Sequence, residues 1–123
     1  MSNYNEYNYI KYDDYYYCSM YNTITFYFVV PKNFVEESFN YEAYRENLLD
    51  EIQDMSKIIS YEMSIEFPAN NIIPRYASVN ISPTIETEYG YEDCIWRDIN
   101  LPYEKIEKLI NIIPYNILKD FLQ

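Results

Sequence analysis

The side chains best able to do chemistry in this sequence are carboxylates. Glu42, Glu46, Asp50 and Asp54 recur at every fourth position. On a helix that spacing sets successive groups about 6 Å apart along the axis. Glu62 and Glu66 share one side of an alternating run, and Glu86 and Glu88 share one side of another. Carboxylates so arranged could work as a general acid and base, hold a divalent cation, or present a row of anions resembling nucleic-acid phosphates.

The rest of the composition narrows these options. The chain has no His, so it lacks the commonest general base near neutral pH and the usual partner of a Ser or Cys nucleophile. A single Gly, Gly90, excludes G-x-G-x-x-G and Walker-type phosphate loops. Cys18 and Cys94 without His are too few for a structural zinc site and read as buried apolar fillers. The adjacent pairs Asp13-Asp14 and Glu92-Asp93 lack the surrounding ligands of an EF-hand loop. No metal, cofactor or catalytic residue is therefore expected, and the chain reads as a binding protein rather than an enzyme.

Charge points to the kind of partner. There are 20 acidic and 9 basic side chains, a formal net charge of −11 over 123 residues. The acid is concentrated: nine acids and two bases lie between Glu36 and Glu66, and five acids and one base between Glu86 and Asp98. Nucleic acids and anionic membranes attract Lys and Arg, so direct binding to either is disfavoured. A basic protein would be drawn by long-range steering. The plainer reading is a solvated surface that keeps a tyrosine-rich protein soluble. Arg45, Arg75 and Arg97 read as ion-pair partners of nearby acids, with an anion clamp as the alternative.

These groups need elements to position them. Thr23 to Val30 alternates, with Ile24, Phe26, Phe28 and Val30 on one face, and predicts a central strand ended by Pro31. Asn33 to Ser38 suits a short helical turn. Tyr44, Leu48, Ile52, Met55 and Ile59 form an apolar stripe that predicts one helix over 41–59, with Asn40 as N-cap and Lys57 in the last turn. Tyr61 to Phe67 alternates again and turns Glu62 and Glu66 toward water. Strands are expected around Ala77–Ile81, broken by Pro83, and around Ile85–Tyr89, with a bend at Gly90 and a short strand or loop at Cys94–Trp96. Pro102 opens a helix carrying Ile106, Leu109, Ile110 and Ile113; Pro114 ends it, and Ile117, Leu118, Phe121 and Leu122 suggest a short terminal helix.

The first 21 residues hold eight tyrosines. They read as an edge hairpin turning at Asp13-Asp14, a strand added to the sheet edge, or a mobile arm. Tyrosines there would also suit a contact surface. The remaining elements predict a single α+β domain over 1–123, an antiparallel sheet of four to five strands with two main helices on one face. No stretch reaches the roughly 20 apolar residues of a membrane span. Met1 to Met20 lacks the pattern of a signal peptide, so action in the cytoplasm, the compartment where the chain is made, is expected.

In size, charge and lack of catalytic motifs the chain is similar to phage anti-CRISPR and anti-restriction proteins, a resemblance of character that aligns no residues. It implies an acidic, phage- or mobile-element-encoded inhibitor that blocks the basic channel of a host defence nuclease. The expected contact residues are Glu42, Glu46, Asp50, Asp54, Glu62, Glu66, Glu86 and Glu88, with Tyr61 as an aromatic anchor. An immunity protein or antitoxin neutralising a basic toxin nuclease satisfies the same physics. A small-ligand-sequestering protein is a further alternative, marked by a closed pocket lined with Arg and Tyr.

Overall fold

The computed structural model describes residues 10–88, 90–93 and 95–121, and over 91–93 the backbone only. Expectations for Tyr4, Tyr7, Tyr9, Tyr89, Cys94 and Leu122 lie outside the described residues. Strands β1 (Lys11–Cys18), β2 (Thr23–Val30), β3 (Ile58–Pro68) and β4 (Ser78–Thr87) form an antiparallel meander. Two short strands, β5 (Gly90–Asp93) and β6 (Arg97–Ile99), share the outer edge of β4, so the sheet is five strands wide. Helices α1 (Lys32–Ser38) and α2 (Tyr41–Leu49) connect β2 to β3, and α3 (Tyr103–Ile110) and α4 (Tyr115–Leu118) follow β6. The fold is α+β, as expected.

Alternation in β2 and β3 builds the core. Ile24, Phe26, Phe28 and Val30 are fully buried, and they face Phe67, Ile65, Met63 and Tyr61 across the ladder. Phe34 and Val35 of α1, Tyr44 and Leu48 of α2, and Ile106 and Leu109 of α3 join that cluster. The helices therefore close one face of the sheet. An aromatic group seals the seam: Tyr44 meets Phe39 and Tyr61 with ring centroids 5.7 and 6.2 Å away, and the Tyr41 and Tyr61 hydroxyls lie 3.2 Å apart.

Several local expectations are corrected. The helix predicted over 41–59 ends at Leu49; Met55–Lys57 is a 3-10 turn capped by Asp54, and Ile58 already belongs to β3. The acids explain the early stop. Extending α2 would stack Glu46, Asp50 and Asp54 as like charges at i, i+4, which disfavours the longer helix. Asn40 sits at the N-cap of α2, but its side chain makes no capping bond. Lys57 lies in the 3-10 turn. Ile59 is exposed because the register shifts between Ile58 and Ser60, which lets Ile58 and Tyr61 both face the core.

Asp13-Asp14 is not a turn. β1 runs through it with a bulge between Tyr12 and Asp14. The reversal falls after Cys18, where Asn22 takes a left-handed φ of 51°, a conformation that Asn tolerates. Tyr17 donates its phenol proton to Asn22 Oδ1 at 3.1 Å across that turn. Pro83 does not break its strand either. It lies between the stretches of β4 paired with β6 and with β5, where the outer ladder is interrupted and one fewer donor is needed. Gly90 has φ +121° at the bend between β4 and β5.

Two predictions follow from the alternation and from buried phenols. Tyr61→Ala should cost about 3–5 kcal/mol in urea unfolding, whereas Glu66→Gln on the opposite face should stay within about 0.5 kcal/mol. Burial, reinforced by Asp14, pushes the Tyr12 phenol from 10.0 up to about 12. Burial and the Tyr41 hydroxyl push Tyr61 upward as well. The folded state thus holds protons that the unfolded chain has lost, so these groups stabilise fully below pH 10.0 and progressively less as pH rises toward about 12. Stability measured against pH should fall across that window, and less steeply in Tyr12→Phe.

Candidate partner-binding surface

The face of the sheet away from the helices carries the polar half of each alternating strand. Register places its residues in cross-strand rows. Lys11, Val29, Glu62 and Ser82 form one row, in which Ser82 is fully buried and accepts a bond from the Ile95 N–H. Asp14, Tyr27, Ser64, Asn80 and Asp98 form the next. Tyr16, Thr25, Glu66 and Ser78 form the third. Strands stand about 4.8 Å apart, and residues two apart on one strand about 7 Å. Glu62, Glu66, Asp14 and Asp98 therefore sit on one lattice, where Lys11 at the border is the single base of these rows. Glu86 extends the same side of β4, and Glu88 lies exposed in the turn beyond it.

The other predicted residues lie elsewhere. Glu42 and Glu46 are exposed on α2, in the helical layer on the opposite side of the sheet. Asp50 is the C-cap of α2 and Asp54 the N-cap of the 3-10 turn, so the row of four at helical spacing does not form. The Asp54 carboxylate accepts bonds from the Ser56 hydroxyl and N–H, which hold its pKa below 3.8. Tyr61 is 1% exposed; it anchors the core and offers no area to a partner. The predicted acids thus form two groups separated by the sheet.

Arginines were read as ion-pair partners. Arg97 meets that reading: its guanidinium donates to Glu51 at 2.9 Å. The two side chains are 40% and 44% exposed, so the pair contributes little to stability. Arg75 lies 5.8 Å from the ring centroid of Tyr76. One cleft lies between α2 and β6, lined by Tyr44, Asn47 and Arg97 among others, with about 210 Å³. Its cation is already matched by Glu51.

Sequence reasoning missed Tyr27 and Trp96 as surface groups. Tyr27 lies half-buried in the middle row, and Trp96 is 42% exposed just before β6. Tyr27 alternates with the buried residues of β2, and Trp96 joins it because the pairing of β6 with β4 brings the preceding residue over the sheet. Tyr15 and Tyr17 turn inward instead, 6.2 and 5.8 Å from the Phe121 ring, so part of the tyrosine-rich segment docks the C-terminal residues. Among the described residues no three Cys, Asp or Glu side chains gather as a metal site would require, and no helix is long and apolar enough to cross a membrane. Cys18 is half-buried and forms no disulfide.

Ser56→Ala should move the Asp54 titration upward toward 3.8, as read by side-chain carboxyl NMR. Asp54 stabilises above its unfolded pKa, and that contribution is lost as pH falls through the folded value; in Ser56→Ala the contribution should be smaller and its loss complete at a higher pH. No protein-family model, curated protein or solved structure matches the chain.

Proposed function

We propose that the chain is a stoichiometric, non-catalytic inhibitor that covers the nucleic-acid-binding surface of a basic nuclease. It belongs to the anti-CRISPR or anti-restriction type, encoded by a phage or other mobile element and acting in the cytoplasm of a bacterial host. The open face of the sheet is the surface that meets the partner. The observation that carries this reading is the chemistry of that face: Asp14, Glu62, Glu66, Glu86 and Asp98 lie on it, while Arg97 reaches the helical side and is occupied by Glu51. A net charge of −11 steers a cationic partner from a distance. Tyr16, Tyr27 and Trp96 supply aromatic area that carboxylates lack.

The experiment titrates the protein into a panel of purified CRISPR effectors and restriction endonucleases. Inhibition of a susceptible nuclease should saturate near a molar ratio of about one to one and weaken steeply as salt shortens the Debye length from roughly 10 Å to 3 Å. Replacing Glu62, Glu66 and Glu86 by Gln and Asp98 by Asn should abolish inhibition with folding retained. Glu42→Gln with Glu46→Gln should slow association and leave the endpoint unchanged. Full inhibition by the open-face variant refutes the assignment.

A further inference from the structure

One part of the open face is a built recess. Tyr27, Ser64 and Asn80 are successive partners across β2, β3 and β4. With Trp96 they line a shallow groove of about 310 Å³, large enough for one side chain of a partner. Ser64 and Asn80 are short and polar, and they lie between an aromatic ring from β2 and one from the residue just before β6. Glu62 and Glu66 stand two positions to either side of Ser64, so each is about 7 Å from it along the strand. Asp98 is the register partner of Asn80.

These groups select a particular chemistry. Aromatic faces attract a cation. The hydroxyl of Ser64 and the amide oxygen of Asn80 can accept N–H bonds, and the acids at neighbouring register positions, Glu66 and Asp98 among them, favour a cation over an anion. An ammonium would satisfy the charge alone. A guanidinium is flat, stacks on a ring, and carries five N–H donors in its plane. We infer that the recess between Tyr27 and Trp96 is an arginine-binding slot that takes a guanidinium of the basic partner. The inference rests on the function proposed above and names the anchor within that surface.

Trp96 is the only tryptophan, so its emission reports occupancy directly. The probes are hexa-arginine and hexa-lysine peptides, added at low ionic strength and followed by Trp96 fluorescence and by calorimetry. Hexa-arginine should alter Trp96 emission and bind about tenfold tighter than hexa-lysine. That preference should vanish in Trp96→Ala, read by calorimetry, and in Asn80→Arg, which places the protein's own guanidinium in the recess; circular dichroism checks that both variants fold. Equal binding of the two peptides with Trp96 emission unmoved overturns the slot and leaves the acidic-surface reading standing. Absence of binding by either peptide overturns both.

Discussion

Everything else in the molecule depends on the strict alternation of β2 and β3. A strand turns successive side chains to opposite faces, so a slip of one residue would put Phe26, Phe28, Met63 and Ile65 into water and Thr25, Ser64 and Glu66 into the core. Burying each large apolar side chain contributes roughly 1.5–3 kcal/mol, which fixes the register firmly. The helices have one apolar face to cover and they cover it. The acidic face is thus the necessary complement of the core: the same pattern that buries the phenylalanines lines up the carboxylates.

Charge then acts on the secondary structure as well as on the surface. The run from Glu46 to Asp54 carries acids at positions that would stack on a helix, with no base between them. Repulsion at i, i+4 opposes extension, and the chain leaves the helix at Leu49. The apolar spacing of Leu48, Ile52 and Met55 survives because a cap, a 3-10 turn and a bulge return those residues to the core by another path. Hydrophobic period alone could not separate the two paths; the charges between the apolar positions could.

The sheet's core strands, the proline-started α3, its end near Pro114 and the bend at Gly90 were legible because each rests on a local rule. The wet placement of Glu62 and Glu66 was legible for the same reason. Less legible were features that depend on distant partners. Tyr61 looks like any alternating aromatic until Tyr41 and Tyr44 arrive from α2. Trp96 acquires a place beside Tyr27 only through the pairing of β6 with β4. Pro83 reads as a breaker until the outer edge of β4 is seen to be divided between two short strands. The grouping of the acids was the largest such case, since a linear sequence does not say which side of a sheet a helix will occupy.

The bulge in β1 has a consequence for colloidal behaviour. Tyr15, Tyr16 and Tyr17 on the terminal strand of the described sheet resemble the aromatic, β-prone stretches that recruit copies of themselves into fibrils. The kink at Asp13 bends the strand just ahead of them, and any incoming identical strand would bring its own aspartates close to this pair. The irregularity and its charges therefore disfavour self-templating along this border.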